Sequence, residues 1–398
     1  MPRRLIPLIP TLLFFAGVAV CQDFAPLPPM GWNSWNLFRT QVTASDIREV
    51  ADAMVSSGMK QAGYVYVNID DGWQGERDAN GVLHGNAAFP DMKALGDYLH
   101  ARGLKFGLYS SPGARTCANH EGSLGHEEQD AQTFAAWGVD YLKYDLCSYG
   151  NWVAHQAQGD PDRASQLAAE AYARMDKALR ETGRPVVFSI SQHGLNNVAE
   201  WAPRAGAQLW RTTEDIQDRY ERMAAIGFSQ DGLAAYAGPN HWNDPDMLVI
   251  GNGNMSEDEC RTQMSLWAIL AAPLLASNDV RHVLPGIASI LLASEVIAID
   301  QDPMGKEGHR IMARGLVEVW ERPMSDGSMV VGVFNRDTPY RDLATVSFSL
   351  PLSLVGIPSP VRIRDIWGRK DVPATNGELA TIIAGHGAAL YRIYPRKP

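Results

Sequence analysis

Three side chains of different chemistry alternate in the stretch VDYLKYDLCS, residues 139–148. Lys143, Asp145 and Cys147 occupy every second position, and a period of two places all three on one face of a β-strand. The apolar and aromatic residues around them are typical of a buried strand. Such a strand would present a cation, a carboxylate and a thiol together at its end.

Polar and aromatic side chains also follow the other strand-like runs of the chain. They are Trp32 and Trp35 after the first run, Asp70, Asp71 and Trp73 after the second, Tyr109 after the third, Gln192 and His193 after the fifth, Arg211 and Asp215 after the sixth, Asp244 and Asp246 at the seventh, and Asn278 and Asp279 after the eighth. Clustered carboxylates suit either divalent-cation binding or glycoside hydrolysis by two carboxyl groups. The aromatic rings and the lack of a glycine-rich phosphate loop favour a sugar substrate. Adjacent aspartates such as Asp70 and Asp71 are, by themselves, equally typical of a solvated loop.

These runs belong to an alternation of short β-rich segments and longer helical segments between residues 28 and 302. The strand-like segments are PMGWNSW, YVYVNIDDGW, LKFGLYSS, VDYLKYD, PVVFSIS, AQLWRTTED, DPDMLVIG and APLLASND. Eight strand–helix units predict an α/β fold of the (β/α)8 TIM-barrel type, in which the strand ends converge on one site. A doubly wound open sheet is the alternative, but its glycine-rich loop is missing. Thr43 and Asp46 also predict a capping box at the start of a helix.

The pattern changes after residue 305. The segments LVEVWERP, SMVVGVFN, ATVSFSL, VRIRDIWG and GAALYRIY are short, alternating and separated by turns. They predict a C-terminal antiparallel β-sandwich over residues 306–398, following a catalytic barrel over residues 22–305. The sandwich segment has no concentrated polar cluster, so we expect the chemistry to lie in the barrel.

Residues 1–21 differ from the rest of the chain. Arg3 and Arg4 precede an apolar run that ends before Cys21. This arrangement is typical of a secretory signal peptide, so we expect a secreted or periplasmic protein. Acylation of Cys21, as in a lipoprotein, is the alternative. No other segment predicts a membrane span, and the net charge of -10 argues against nucleic acid as a partner.

Several of these segments, taken in order, resemble glycoside hydrolase family 27, which holds α-galactosidases and α-N-acetylgalactosaminidases. The matching motifs are PPMGWNSW, IDDGW, KYDLC, WRTTEDI, WNDPDMLVIGN and APLLASND, and the resemblance covers about residues 27 to 305. It implies a (β/α)8 barrel with a C-terminal antiparallel β domain. It also implies an exo-glycosidase that acts on a galactose-containing oligosaccharide or glycoconjugate.

The resemblance implies a retaining double displacement by two aspartates. Asp145 matches the nucleophile of the family's K-[YF]-D-x-C motif. Asp215, four residues past Arg211, matches the general acid/base, with Glu214 as the neighbouring alternative. We expect Lys143 to keep Asp145 ionised, and burial beside that charge to keep Asp215 protonated. The positions that match the family's sugar contacts are Trp35, Asp70, Asp71, Tyr109, Lys143, Arg211 and Asp246.

Cys117 and Cys147 match a disulfide that is common in the family. Each follows a strand-like run, and an exported protein tends to oxidise accessible pairs. Cys260 lies in a helical segment and is predicted to be a free thiol. The cysteines lack the spacing of metal ligands, so we predict no metal site and no cofactor.

The chain departs from the family after the fifth strand, where many α-galactosidases carry Cys-Glu-Trp. Ser191, Gln192 and His193 take these positions in SISQHG. The family's Glu contacts the sugar near O2, so Gln192 is the matching predicted contact, and its amide can both donate and accept. We interpret His193 as a loop residue and not a catalyst. An acetamido group would need small residues here, so we expect galactose in preference to N-acetylgalactosamine.

Other substrates and other classes of protein remain as alternatives. The family includes β-L-arabinopyranosidases, but the retained pair Asp70 and Asp71 favours a galactose-like sugar. A non-catalytic sugar-binding protein would need neither Asp145 nor Asp215. A metal-dependent hydrolase would lose its activity to a chelator.

Overall fold

The computed structural model describes residues 24–338, 345–357 and 361–395. The predicted signal peptide of residues 1–21, with Cys21, lies outside the described residues. Within the described part of the chain, no helix combines the length and the apolar character needed to cross a membrane.

Strands and helices alternate up to residue 300, and strands predominate after it. The strands are β1 (Met30–Asn33), β2 (Tyr66–Asn68), β3 (Gln74–Arg77), β4 (Leu83–Gly85), β5 (Lys105–Ser110), β6 (Tyr141–Asp145), β7 (Val187–Ser191), β8 (Leu209–Arg211), β9 (Trp242–Asp244), β10 (Leu274–Ala276), β11 (His309–Arg314), β12 (Val317–Pro323), β13 (Met329–Asn335), β14 (Val346–Pro351), β15 (Val361–Asp365), β16 (Lys370–Val372), β17 (Glu378–Ile383) and β18 (Ala388–Pro395). The helices are α1 (Trp35–Phe38), α2 (Ala44–Ser56), α3 (Met59–Ala62), α4 (Met92–His100), α5 (Glu127–Trp137), α6 (Tyr149–Ala157), α7 (Pro161–Glu181), α8 (Val198–Trp201), α9 (Tyr220–Phe228), α10 (Glu257–Leu270), α11 (Pro285–Leu291) and α12 (Ser294–Asp300). Two 3₁₀ turns cover Arg39–Gln41 and Leu352–Val355.

Eight parallel strands form one sheet in the order β10-β1-β2-β5-β6-β7-β8-β9. A parallel bridge between Leu248 and Ala276 joins β10 to the segment that follows β9. The Leu248 amide donates to the Leu275 carbonyl at 2.8 Å. The ring is thereby closed, and the predicted (β/α)8 barrel is confirmed. The carboxyl ends of all eight strands consequently face the same side.

The seventh barrel strand is β9. It ends before most of the segment DPDMLVIG, which was predicted to form this strand. β9 ends at Asp244 because the next residue, Pro245, has no amide hydrogen to continue the ladder. Asp246 then adopts a left-handed backbone with φ 83°, and its amide donates to Asp244 Oδ1 at 2.8 Å. The side chain of Asp246 therefore leaves the barrel wall just beyond the strand end.

Helix α2 begins at the predicted capping box. The Thr43 hydroxyl accepts from the Asp46 amide at 3.2 Å, and the Asp46 carboxylate accepts from the Thr43 amide at 3.0 Å. Its buried positions Ile47, Val50 and Met54 follow helical spacing. The cap thus fixes where the helix starts, and the apolar face fixes how it packs on the barrel.

The C-terminal strands form the predicted antiparallel β-sandwich. One sheet has the order β11-β12-β13-β18-β15-β16, and the other pairs β14 with β17. Val319 and Val331 of the first sheet pack in one buried cluster with Leu350 and Leu379 of the second. Sandwich side chains such as Trp320 also join the main hydrophobic core of the barrel. The two domains therefore share buried surface.

Candidate active site

A cavity of about 600 Å³ opens at the carboxyl ends of the barrel strands. Nine of the ten side chains predicted to act on the substrate line it, namely Trp35, Asp70, Asp71, Tyr109, Lys143, Asp145, Arg211, Asp215 and Asp246. They come from β1, β2, β5, β6, β8 and β9 or from the residues that follow these strands. Residues far apart in the chain meet here because parallel strands end at one face of the barrel.

Asp145 is buried at the end of β6 and contacts two cationic side chains. Its Oδ2 lies 4.0 Å from Lys143 Nζ, and its Oδ1 lies 2.9 Å from His193 Nε2. Burial acts to raise the pKa of Asp145, but the hydrogen bond from His193 and the charge of Lys143 outweigh it, so the pKa lies below its usual value. Asp145 is therefore a carboxylate at neutral pH, as a nucleophile requires.

Asp215 stands at the mouth of the cavity and does not have the predicted buried environment. Its side chain is 66% exposed. Its Oδ1 lies 3.1 Å from Arg211 Nη2 and 3.4 Å from His193 Nδ1. The hydrogen bond from His193, with the charge of Arg211, holds the pKa of Asp215 well below its usual range in spite of the opposing effect of partial burial. The prediction that burial keeps Asp215 protonated is wrong, because two cations face this carboxylate.

Glu214, the neighbouring alternative, has a different orientation. Its side chain is exposed and pairs with Arg222 at 3.2 Å. It does not line the cavity, whereas Asp215 does. The geometry therefore favours Asp215 as the second carboxylate of the site.

Arg211 connects two aspartates from neighbouring strand ends. Its guanidinium is buried, and Nη2 lies 3.0 Å from Asp246 Oδ2 in addition to its contact with Asp215. Asp246 Oδ2 also accepts from the Ile216 amide at 2.8 Å. These bonds hold the loop after β8 against the loop after β9.

The adjacent aspartates after β2 are both buried. Asp70 Oδ2 accepts from Lys143 Nζ at 2.9 Å and from the side-chain Nδ2 of Asn33 at 2.8 Å. Asp71 Oδ2 accepts from the Ala118 amide at 2.8 Å, and its Oδ1 has no hydrogen-bond partner among the described residues. Asp71 lines the cavity, but this oxygen is covered by neighbouring atoms, so its hydrogen-bonding capacity is unfilled.

The predicted disulfide between Cys117 and Cys147 is present, and Cys260 is a buried free thiol. The Tyr109 hydroxyl lies 3.0 Å from Cys147 Sγ. In the described ranges, Cys117, Cys147 and Asp145 are the single group of three side chains close enough to suggest a metal. The two sulfurs are bonded to each other and offer no thiolate.

Gln192 is the predicted contact that the structure does not bring to the cavity. It is fully buried and does not line the cavity, whereas His193 does. His193 and Gly194 have φ values of 55° and 73°, and this left-handed turn directs the imidazole toward Asp145 and Asp215. The departure from Cys-Glu-Trp identified this segment as part of the site. The backbone geometry decides that His193, and not Gln192, faces the cavity.

Comparison with known proteins identifies both domains. The family model described as "Alpha galactosidase A" matches residues 27–302, and "Alpha galactosidase C-terminal beta sandwich domain" matches residues 314–393. The alpha-galactosidase of Oryza sativa is 43% identical over 372 residues, covering 92% of this chain and 85% of that protein. Alpha-galactosidase A of Cellvibrio japonicus is 45% identical over 79% of this chain and 77% of its own length. The crystal structure of alpha-galactosidase I from Mortierella vinacea has a TM-score of 0.85 at 30% identity, and the match covers 93% of this chain and 98% of that one.

Proposed function

The chain belongs to glycoside hydrolase family 27, and we propose that it removes terminal α-linked galactose with retention of configuration at the anomeric carbon. It is a glycoside hydrolase of the α-galactosidase class. One observation carries the mechanism. Two carboxylates, Asp145 and Asp215, line the same cavity and contact opposite nitrogens of one imidazole. Paired carboxyl groups that flank a glycosidic bond serve both retaining and inverting hydrolysis, and the match to family 27 supports the retaining course.

In the first step, Asp145 attacks the anomeric carbon and forms a glycosyl ester. Its depressed pKa keeps it ionised for this attack. Asp215, at the open end of the cavity, gives a proton to the departing oxygen. The positions fit these roles, because the nucleophile must lie deep beneath the sugar while the acid must reach the aglycone side.

In the second step, Asp215 takes a proton from water, and the water oxygen attacks the anomeric carbon of the ester. Asp145 leaves as a carboxylate, so two inversions give net retention. Asp71, Lys143 and Asp246 line the cavity and supply hydrogen-bonding groups for the galactose hydroxyls. Trp35 supplies an aromatic face at the cavity wall.

The stereochemistry of the first product tests this proposal. Proton NMR of p-nitrophenyl α-galactoside hydrolysis should record α-galactose before mutarotation. Asp145→Asn should abolish turnover while the far-UV circular dichroism stays unchanged. Early β-galactose, or full activity in Asp145→Asn, would refute the assignment of Asp145. Activity that a strong chelator abolishes would instead support a metal-dependent hydrolase.

Galactose is the sugar that the cavity supports best among the family's substrates. The wall after β7 carries the His193 ring, not the small side chain that an acetamido group would need. Asp70 and Asp71 both line the pocket, which supports a sugar with a hydroxymethyl group over arabinopyranose. Rates on the p-nitrophenyl glycosides of α-galactose, α-N-acetylgalactosamine and β-L-arabinopyranose should decrease in that order. A faster rate on either of the last two would reverse the assignment.

We also propose export of the protein, with cleavage before Gln22. The basic start and apolar run of residues 1–21 support this, and so does the disulfide between Cys117 and Cys147. N-terminal sequencing of the mature protein tests it. A start at Gln22 is expected, an acylated Cys21 would establish the lipoprotein alternative, and an intact Met1 in the cytosol would refute export.

A further inference from the structure

The His193 imidazole lies between the two proposed catalytic carboxylates and contacts both. Nε2 lies 2.9 Å from Asp145 Oδ1, and Nδ1 lies 3.4 Å from Asp215 Oδ1. A neutral imidazole carries one N–H and could donate to only one of these acceptors, whereas an imidazolium donates to both. The Asp145 contact is a hydrogen bond and the Asp215 contact is at ion-pair distance, so a protonated ring satisfies both carboxylates.

The backbone fixes the position of this ring. His193 has φ 55°, a left-handed conformation that strains the backbone of a non-glycine residue. Gly194 follows with φ 73°, and its amide donates to the Arg211 carbonyl at 3.1 Å. A Cβ at Gly194 would lie 2.3 Å from the Thr212 carbonyl oxygen, so the turn packs tightly on the end of β8. The surrounding structure thus maintains a strained turn that holds the imidazole between the carboxylates.

Charges of opposite sign alternate along the cavity lining, with His193 at the centre of the row. In spatial order the row is Asp70, Lys143, Asp145, His193, Asp215, Arg211 and Asp246, with successive contacts of 2.9, 4.0, 2.9, 3.4, 3.1 and 3.0 Å. Without a charge on His193, the alternation would break between the nucleophile and the acid/base. The two carboxylates would then face each other across an uncharged ring, which is unfavourable in a partly buried site.

We propose that His193 is a positioning residue that stores the catalytic proton. Its Nδ1–H supplies the proton that Asp215 passes to the leaving oxygen, while its Nε2–H orients the Asp145 carboxylate. This inference rests on the retaining mechanism proposed above. It gives the exposed Asp215 carboxylate a source for the proton it must deliver.

The electrostatic environment of His193 agrees with this role. Asp145 faces the ring from β6, and Asp215 and Arg211 face it from β8 and the loop that follows. Burial would lower the pKa of His193, but hydrogen bonds to the two carboxylates outweigh burial and the repulsion of Arg211, and raise the pKa to about 9. The proton is therefore on the imidazole at neutral pH, and Asp215 is ionised.

Protons and charges balance over the cycle. In the first step the proton moves from His193 Nδ1 to Asp215 and on to the aglycone oxygen, which leaves as an alcohol. His193 is then neutral, Asp215 is again a carboxylate, and Asp145 is an uncharged ester. In the second step a water proton returns through Asp215 to Nδ1, the hydroxyl oxygen bonds to the sugar, and Asp145 regains its charge.

The protonation state of His193 can be measured directly in the wild-type protein. Nitrogen-15 NMR of histidine-labelled enzyme reports both ring nitrogens, and the His193 signals are those missing from His193→Gln or His193→Asn. A doubly protonated ring at pH 7 that titrates near 9 is expected. A neutral ring at pH 7 would overturn the proposal. This readout does not depend on which sugar the enzyme hydrolyses.

Kinetics of His193→Gln separate proton storage from a structural role. Methyl α-galactoside needs its leaving oxygen protonated, whereas 2,4-dinitrophenyl α-galactoside does not. We expect kcat on the methyl glycoside to fall by about 100-fold or more, and by less than about 10-fold on the activated one. The alkaline limb of the pH profile should also move to lower pH, because Asp215 must then hold the proton itself. His84→Gln, at an exposed surface histidine, is the matched control.

The alternative outcomes have distinct meanings. Equal losses on both glycosides with an unchanged alkaline limb would show that His193 only maintains the loop, and would overturn the proposal. Wild-type enzyme that hydrolyses no α-galactoside would refute the proposed function, while the NMR titration would still decide whether His193 holds the proton.

Discussion

The Lys143→Met substitution isolates the cation that lies beside the nucleophile. Lys143 Nζ is 4.0 Å from Asp145 Oδ2 and 2.9 Å from Asp70 Oδ2. Methionine retains a long unbranched side chain but carries no charge. The substitution therefore removes an electrostatic contact from Asp145 with little change in packing.

The distance sets the size of the effect. Two unit charges 4 Å apart interact by about 4 kcal/mol at an effective dielectric constant of about 20, equivalent to about 3 pKa units. His193 also lowers the pKa of Asp145 and remains in the variant. We therefore expect the pKa of Asp145 to rise by about 1 to 3 units. Attack requires the carboxylate form of Asp145. As the pH is lowered, the variant should therefore lose activity at a higher pH than the wild type does.

The assay is the pH dependence of kcat/KM for p-nitrophenyl α-galactoside between about pH 3 and pH 9. The acid limb should move upward in Lys143→Met and stay in place in Lys93→Met, whose ammonium pairs with Asp97 on the solvent-exposed face of α4. A Lys143→Met enzyme with a wild-type acid limb would refute the electrostatic role of Lys143, even if its KM had risen through lost sugar contacts.

Three further predictions concern the stability of the protein and the ion pair between Arg211 and Asp246. Burial raises the pKa of Asp300 to about 8. The folded state therefore holds a proton that the unfolded state releases near pH 4, so stability falls as pH rises between these values, and Asp300→Asn should flatten the dependence of Tm on pH. Replacing Cys117 and Cys147 with serine should lower the free energy of unfolding by about 3 to 4 kcal/mol in guanidinium titrations, and a reductant should then have no further effect. Arg211→Met leaves Asp246 buried without its cation, so the free energy of unfolding should fall by about 3 to 5 kcal/mol in the same titrations. The variant should also lose kcat/KM. A free energy of unfolding and an activity equal to the wild type would contradict this prediction.

The barrel was predictable because its strands are short, apolar and regularly spaced by helices. The capping box of Thr43 and Asp46 fixed one helix start to the residue, since it depends on two side chains and the local backbone. β17, whose buried positions alternate, was missed because exposed Ile382 obscures the alternation in ELATII. The position of β9 was predicted too late in the chain because the apolar run MLVI resembles a buried strand. Pro245 ends the hydrogen-bond ladder before that run begins.

The site was predictable as a set of residues and less so as an electrostatic arrangement. Strand ends identified nine cavity side chains, because the topology alone brings them together. The inward turn of His193 depends on a left-handed backbone at a residue other than glycine, which the sequence does not reveal. The ionised state of Asp215 follows from that same turn, since His193 is one of its two cationic neighbours.

In the proposed mechanism, the charge of Asp145 controls the direction of proton movement in both half-reactions. While Asp145 is a carboxylate, its contact with Nε2 favours the imidazolium. Formation of the glycosyl ester removes this charge, so the neutral imidazole becomes stable as its proton leaves with the aglycone. Hydrolysis of the ester restores the charge, and the proton released by water is drawn back to His193. One hydrogen bond between nucleophile and imidazole therefore couples bond cleavage at the sugar to proton transfer at Asp215.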